Sequence, residues 1–407
     1  MPANPDPASP DPPRGSATRA ITLLAIAAFA AQAMVRVTDS LLPQIAADLA
    51  VSVGAASIVV TVYLLAHGSV QLVIGPIGDR VGKYLCMAIA AAAASLLVVL
   101  CGLAPTLPLL VAARLGSGLA TGWIIPLAMA FIGDVIPYER RQQVLGTFLS
   151  GQILGQMFGQ AAGGVLGDYF GWRTVFFILA GMLAVATLGL FYELWRNPIT
   201  RAGAATGQPR RGFIADYRAV LRSPWARTII AVAFLEFGLM FGAFTYVGAD
   251  LHLRFGVSFT LVGLFVGTFA IGGLIYSLSV HRLVQRFGQI GLAALGGALL
   301  AGAYVTLAFE PTALLAPLAI TAIGLGFYML HNTLQTNATQ MTPEARGTAV
   351  SLFSASLYLG QTAGVAAGGV IFDRFTAVPV FLTAAVLLLA LGVWFSRQLV
   401  RRRERGV

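Results

Sequence analysis

Apolar stretches and polar intervals alternate twelve times along this chain. The apolar stretches lie near 20–42, 54–77, 85–104, 107–133, 144–167, 174–192, 228–249, 259–280, 290–309, 312–336, 347–372 and 377–396. Each approaches or exceeds the roughly 20 residues a helix needs to cross a hydrocarbon core of about 30 Å. The longest polar interval, 196–227, holds seven arginines together with Gly and Pro. Twelve spanning helices are therefore predicted, six on each side of that interval. Within it, Phe213–Leu221 has the pattern of one amphipathic helix.

The two sets of six are related. Residues 154–168 (LGQMFGQAAGGVLGD) and 359–373 (LGQTAGVAAGGVIFD) are identical at ten of fifteen positions, 205 residues apart. Six of the ten are Gly or Ala, which membrane helices use often. The same offset also pairs Glu139 with Glu344 and Arg141 with Arg346, and an offset of 206 places Arg80-Val-Gly82 on Arg286-Phe-Gly288. A duplicated unit of about two hundred residues is the parallel-repeat layout, with the substrate path between the halves. The expected organisation is a disordered tail (1–18), a six-helix bundle (19–195), a linker (196–227), a second bundle (228–396) and a basic tail (397–407).

Composition places the chain in a bilayer. Hydrophobic residues make up 57% and charged residues 10%, against roughly 25% charged in soluble domains. The net charge of +10 raises the question of nucleic acid, but its distribution answers it. With both termini inside, 21 of the 26 Lys and Arg fall in cytoplasmic segments, three outside (Arg173, Arg254, Arg374) and two within spans. That is the positive-inside pattern. It predicts cytoplasmic termini, an inner-membrane location, and a tail at Arg401–Arg405 held by anionic lipid rather than nucleic acid. Cys86 and Cys101 share one predicted helix, some 22 Å apart at about 1.5 Å per residue, too far for a disulfide. The Pro-rich first fifteen residues lack the form of a cleaved signal peptide.

The loop between spans 2 and 3 reads Gly75-Pro-Ile-Gly78-Asp79-Arg80-Val-Gly82-Lys83. It resembles the loop motif of the major facilitator superfamily, in its usual place and with a degenerate copy at 284–289. Asp39-Ser-Leu-Leu-Pro43 resembles the acidic-then-Pro end of span 1 in the twelve-span drug:proton antiporter-like branch, and Tyr63 and Gln71 fit that branch. Arg114 with Gly116 and Gly118 resembles the span 4 motif, and Gly171-Trp172-Arg173 with Phe176 the start of span 6. Gly151, Gly155, Gly159, Gly163 and Gly167 form one smooth helix face for packing. They resemble the antiporter motif of span 5, although Gln160 stands where that motif usually has Pro. The resemblance implies an all-α major facilitator fold: twelve transmembrane helices in two six-helix pseudo-repeats, alternating access, and an inner-face charge network that latches the outward-open state. The positions that match or adjoin that network are Gly75, Asp79, Arg80, Gly82, Lys83, Asp134, Glu139, Arg140 and Arg141.

Only Arg36, Asp39, Arg114 and Glu236 are charged within the predicted spans. A charge at the bilayer centre costs at least about 2.5–3.5 kcal/mol on insertion scales, so such residues usually face a wet cavity. Asp39 is the expected proton carrier of the first half, tuned by Arg114 or by Arg36, which shares its helix face. In the second half Glu236 lies near mid-membrane and His331 at a similar depth, and either suits proton exchange. Static helix-orienting pairs are the competing reading. Trp123, Phe237, Met240, Phe241, Tyr246, Tyr328, Asn332 and Gln335 are the candidate lining of an apolar or aromatic substrate cavity. His67 is read as structural.

These features point to a proton-coupled exporter of small amphiphilic compounds such as drugs, siderophores, metabolites or sugars. The alternative is an uptake symporter or uniporter, which Gln160 favours. A membrane enzyme finds no GxSxG, HExxH or His/Cys metal cluster in the sequence, and a sensor no segment long enough for a soluble domain. The expected partners are a small-molecule substrate, protons and lipid, with the proton gradient as driving force, no cofactor, no metal, and a monomeric state.

Overall fold

The computed structural model describes residues 14–200, 213–342 and 346–404, and among these it contains helices and no strand. Helices are the natural solution for a chain in lipid, because they satisfy every backbone polar group within one segment. The spans are α1 (Arg14–Asp48), α2 (Val53–Val70), α3 (Lys83–Leu103) and α4 (Leu107–Val135). In the second half they include α7 (Pro224–Phe255), α10 (Ala316–Ala338), α11 (Arg346–Arg374) and α12 (Ala377–Glu404). The remaining four spans come as two long helical runs, Tyr138–Arg196 and Phe259–Phe309.

Each long run turns back on itself at a glycine. The 59 residues of Tyr138–Arg196 would reach nearly 90 Å as one rod, at about 1.5 Å per residue. Gly171 breaks the run at φ 78° and ψ 153°, and Gly288 breaks the other at φ 59°. A positive φ of this kind costs glycine little and other residues more. The breaks define α5 (138–170), α6 (172–196), α8 (259–287) and α9 (289–309). Side-chain pairings prove the reversal. Along α5, Gly155 meets Phe29 and Gly163 meets Val37, so α5 runs parallel to α1. Along α6, Trp172 donates to Asp48 at 3.1 Å while Glu193 accepts from Arg19 at 2.7 Å, so α6 runs antiparallel to α1. Likewise α8 runs with α10 (Thr268 Oγ1 to the Pro317 carbonyl, 3.1 Å), and α9 runs against it (Asn337 to Gln289, 3.2 Å). With the two runs divided at their glycines, the ten long apolar helices among the described residues give twelve segments.

Two glycine rows set the helix spacing. Gly155, Gly159 and Gly163 press on the backbone of α1 at Phe29, Ala33 and Val37. Gly360, Gly364 and Gly368, each 205 residues later, press on α7 at Phe234, Gly238 and the Gly242–Tyr246 turn. Gly151, at the start of the first row, has looser contact with Ala25. Gly167 packs on the Leu41 side chain. The substitution of Val365 for Gln160 in the second copy leaves its glycine face intact.

Ion pairs and rings place the start of α1 beside the end of α6, and the end of α12 beside the start of α7. Arg19 pairs with Glu193 beside the linker, and Arg402 lies over the Trp225 ring at the start of α7. The linker carries a helix at Phe213–Arg222, whose Tyr217 hydroxyl donates to the Leu72 carbonyl at 2.7 Å. We call this the proximal end and the opposite one distal. The two halves meet from the distal end to mid-depth. There α2 packs on α11, α5 on α8, and α1 on α7, with His67 and Tyr358 rings 4.5 Å apart and Gly68 against Ala355 at the proximal limit of the α2–α11 contact.

Two boundaries differ from the sequence reading. Helix α1 begins at Arg14, within the tail expected to be disordered, and α12 continues to Glu404, through most of the expected basic tail. Hydropathy marks the membrane-buried part of a helix, whereas the helix itself runs on into polar residues. Residues 1–13, 201–212, 343–345 and 405–407 lie outside the described residues, and with them Glu344 and part of the linker.

The glycine rows give a direct test. Gly159→Ala and Gly364→Ala each set a Cβ into a facing carbonyl oxygen, whereas Gly181 and Gly302 have nothing within 4 Å. Thermal unfolding in detergent should show the first two destabilised by about 1–3 kcal/mol, as overpacking costs. Gly181→Ala and Gly302→Ala should be neutral or slightly stabilising, following helix propensity. Equal effects at all four positions would remove the rows from this role.

Candidate functional site

The two charges on α1 stand three residues apart and meet. Arg36 Nη1 lies 3.6 Å from Asp39 Oδ2, and both side chains are almost wholly buried. The other half completes their surroundings. Thr245 on α7 donates to Asp39 Oδ1 at 3.3 Å, and the Arg36 guanidinium lies over the Phe241 ring, 3.4 Å from its centroid. Arg36 Nε has no hydrogen-bond acceptor. A buried pair of this kind tolerates the loss of neither partner, because the survivor is left as an uncompensated charge. The Arg36–Asp39 pair therefore belongs to one half while being covered by the other.

Arg114 is placed differently from expectation. Its Nε donates to the Val59 carbonyl at 3.2 Å, and Nη1 and Nη2 donate to the Met34 carbonyl at 3.4 and 3.5 Å. The guanidinium stacks 4.0 Å above Tyr63, whose hydroxyl pairs with Thr121 at 2.7 Å. Arg114 thus ties α4 to the backbones of α1 and α2 and makes no ion pair with Asp39. Of the two expected tuners, Arg36 is the direct partner. The fork of donors on a guanidinium explains the choice of Arg at this point, since one side chain must reach two helices. His67 sits next to this tie, 3.3 Å from Thr121.

In the second half, Glu236 on α7 and His331 on α10 form a pair, Oε2 to Nδ1, at 2.9 Å. Glu236 is fully buried and its Oε1 has no hydrogen-bond partner. The sequence placed these residues at similar depth without joining them. Aromatic rings surround the imidazole: Phe327 stacks on it at 4.9 Å, Phe237 lies at 5.3 Å and Phe353 at 6.1 Å. Phe237 and Phe327 in turn lie 4.9 and 5.2 Å from Phe241, the ring under Arg36. One aromatic cluster therefore separates two buried ionisable pairs, with Phe269 and Tyr328 on its flank.

Residues 24–345 match the family described as the Major Facilitator Superfamily. The chain belongs to the major facilitator superfamily. It is 26% identical over 371 residues to the uncharacterized MFS-type transporter YceJ of Bacillus subtilis, covering 89% of this chain and 92% of the relative. It is 27% identical over 349 residues to the chloramphenicol resistance protein of Streptomyces lividans, covering 84% and 86%. Among solved structures, the peptide transporter POT in complex with sulfate overlays with a TM-score of 0.78 at 15% identity, covering 94% of each chain. A bacterial homolog of the human lysosomal transporter Spinster, inward-facing and unoccupied, overlays with a TM-score of 0.71 at 17% identity, covering 95% of each chain. These likenesses establish the fold, and the protein is a multi-pass membrane transporter of this superfamily.

The other expected residues distribute unevenly over the facilitator frame. Phe237, Phe241 and Tyr328 join the central cluster, and Asn332 is half-buried one residue beyond His331. Tyr246 does not line a cavity: it is fully buried, donates to the Val365 carbonyl at 2.6 Å and stacks on Phe372, so it serves the α7–α11 seam. Met240 is fully buried too, and its carbonyl accepts from Tyr304 at 2.5 Å. Gln335 is exposed, and Trp123 is half-buried at the bend within α4. In the motif loop, Gly82 (φ 104°) and Gly288 (φ 59°) share a positive φ, as their 206-residue offset requires. Lys83 pairs with Asp134 at 2.5 Å, Arg141 donates to the Gly133 and Ile136 carbonyls, and Arg80 and Arg140 are exposed. The side chains of Asp79 and Glu139 lie outside the described set, and Gly75 is described only as backbone in the short helix Ile74–Val81.

Sequence reasoning missed a second charged cluster at the distal end. Arg254 donates to the Leu307 and Ala308 carbonyls at 2.7 and 3.1 Å and pairs with Asp250 (2.8 Å) and Glu310 (3.4 Å). Glu310 follows the last residue of α9, and burial together with the nearby Asp250 carboxylate pushes its carboxyl up to about 7, against the pull of Arg254. A carboxyl raised in the folded state favours folding below the ordinary glutamate range, and that contribution is lost as pH rises through about 7. Thermal stability should therefore fall between about pH 4.5 and 7 from this residue, and Glu310→Gln should flatten that part of the profile. An unchanged pH profile in the variant would exclude Glu310 as its source.

Proposed function

We propose that this facilitator is a proton-coupled exporter of small amphiphilic compounds, working by alternating access across the inner membrane with both termini cytoplasmic. The observation that carries this reading is the Asp39 carboxylate, paired within its own half by Arg36 and closed over by Thr245 and Phe241 of the other. A neighbouring cation favours the carboxylate and a dry apolar cover favours the acid. Separating α1 from α7 removes the cover and admits water, so the proton affinity of Asp39 changes with the conformational step. With the termini inside, the halves are joined at the outer side, and Asp39 is next exposed to the outside when they part. It exchanges protons with the outside in that state and is shut from them when the halves close, and in the proposed cycle substrate travels opposite to the proton.

The proposed binding region is the aromatic cluster between the Arg36–Asp39 and Glu236–His331 pairs. Flat apolar rings beside polar groups suit compounds with both characters. An apolar cavity of about 570 Å³ lies nearer the proximal end between the halves, lined by Leu72, Leu221, Ile230, Phe234, Leu352 and Leu359, with Arg227 at its side. It offers an apolar approach on the cytoplasmic side. The Streptomyces lividans chloramphenicol resistance protein and a probable sugar efflux transporter of Pasteurella multocida, 23% identical over 268 residues, support export. Nothing in this mechanism calls for a cofactor or a covalent step, and the protein acts as a transporter rather than an enzyme. The second reading, uptake on the same scaffold, rests on Gln160, fully buried with neither side-chain polar atom hydrogen-bonded.

The test is proton flux in proteoliposomes under an imposed pH gradient, with chloramphenicol and a panel of amphiphiles and sugars. An outward-driven substrate should move against protons and release them inside. Asp39→Asn should lower substrate-coupled proton flux by at least about tenfold, and Glu236→Gln should shift its pH dependence. Normal coupling in Asp39→Asn would end the assignment, and substrate and protons moving together would favour uptake.

A further inference from the structure

The 205-residue repeat ends on an aspartate in each copy, Asp168 and Asp373, and each caps a helix of the opposite half. Asp168 Oδ2, at the end of α5, accepts from the Thr260 backbone N–H at 3.0 Å and from its hydroxyl at 2.6 Å, in the first turn of α8. Asp373, at the end of α11, accepts from the Gly54 N–H at 2.8 Å and from the Ser52 hydroxyl at 2.5 Å, in the first turn of α2. The first turn of a helix leaves its N–H groups without intrahelical partners. At both sites the local N-cap serine satisfies the third: Ser52 Oγ accepts from Ala55 at 3.1 Å, and Ser258 Oγ from Leu261 at 3.3 Å. The aspartate from the other half satisfies the second, Gly54 in α2 and Thr260 in α8. The matching serines and second residues are 206 positions apart, and the aspartates 205. The chain carries the same split cap twice.

Close packing lies directly beneath each cap. Gly164, one turn before Asp168, faces Gly263 of α8 so tightly that a Cβ would come within 2.5 Å of its Cα. Gly369, the same distance before Asp373, faces Ser57 and Gly54 of α2. Neither cap can survive if the halves part at the distal end, because its serine is on one half and its aspartate on the other. Parting there breaks the hydrogen bonds of two backbone N–H groups and two carboxylates in one step and hands all four groups to water.

We propose that these two split caps form the distal gate of the transporter, and that Asp168 and Asp373 set how long it stays closed. The gate is two-fold symmetric, in contrast to the Arg36–Asp39 and Glu236–His331 pairs. It rests on alternating movement of the halves and on neither a substrate nor a direction of transport, so it stands or falls separately from the export reading. The N–H groups it satisfies are also those a helix terminus presents to anionic groups, and carboxylates strengthen such bonds.

The experiment is a pair of distances in liposomes by electron–electron resonance, with Cys86 and Cys101 replaced by Ser. Spin labels at the exposed positions Tyr169 and Phe375 report the distal end, and labels at the exposed Arg196 and Gln340 report the proximal end. Asp168→Ala and Asp373→Ala should each raise the distally open population about tenfold, with the proximal distance shortening in step. The double variant should exceed both, and Asn at either position, an equally good N-cap, should retain most of the closed state. Only variants that remain monodisperse are compared, and the single variants suffice where the double one fails to fold. Unchanged distances in folded Ala variants would overturn the gate, as would a fall in melting temperature with both distance distributions intact. Asn variants as open as the Ala variants would overturn the cap as its basis.

Discussion

Backbone contact between α1 and α5, repeated between α7 and α11, is the constraint on which the remaining architecture depends. In lipid, helices gain little from hiding apolar surface from one another, so association relies on close packing and on interhelical polar bonds. The glycine rows supply that packing at Gly155, Gly159 and Gly163, and again at Gly360, Gly364 and Gly368. They also fix rotation. With Phe29, Ala33 and Val37 committed to α5, α1 turns Arg36 and Asp39 toward α7. With Phe234 and Gly238 committed to α11, α7 turns Phe237 and Phe241 into the aromatic cluster and Thr245 toward α1. The positions of Arg36 and Asp39 thus follow from glycines on the neighbouring helix.

The buried ion pairs are then unequal in kind. Glu236 and His331 both belong to the second half, so their 2.9 Å contact can persist while the halves move. Arg36 and Asp39 both belong to the first half, yet Thr245 and Phe241 cover them from the second. Movement between the halves changes the surroundings of the first pair more than those of the second. Arg114 is spared this change. Its donors end on carbonyls of Met34 and Val59, inside its own half, and they hold α1, α2 and α4 as one body.

Much of this was legible in the sequence because it depends on spacing. Twelve spans, the duplication, the glycine face and the Arg36–Asp39 pair are all matters of period along a single helix. The glycine turns were legible in part: Gly171 and Gly82 stand inside recognisable motifs, and the structure adds their positive φ. What escaped was contact between distant segments. Glu236 and His331 are 95 residues apart, and nothing along the chain joins α7 to α10 at that depth. Tyr246 looked like a cavity residue because an aromatic in a span has no sequence mark that separates a lining role from a seam. Arg254 was counted merely as an outside charge, since its partner Glu310 lies 56 residues away. Asp168 and Asp373 were in plain sight as the last letters of the repeat, but a cap in another half cannot be read from the helix that supplies it.

A duplicated chain faces a conflict between symmetry and direction. Helix spacing and the distal contacts gain from being identical in both halves, because two equal contacts let one half part from the other without twisting. The caps and glycine rows have kept that identity, at positions 205 or 206 residues apart. A proton carrier has no such need, and two equal carriers would bind protons in competition for one conformational step. At the 205-residue offset that relates α1 to α7, the position equivalent to Thr245 is Ser40, and Thr245 donates to Asp39, the residue beside it. The position equivalent to Asp39 in the second half is Phe244, so the acid is present in one copy alone. The divergence of the repeat is concentrated where the halves meet chemically, and its preservation where they meet mechanically.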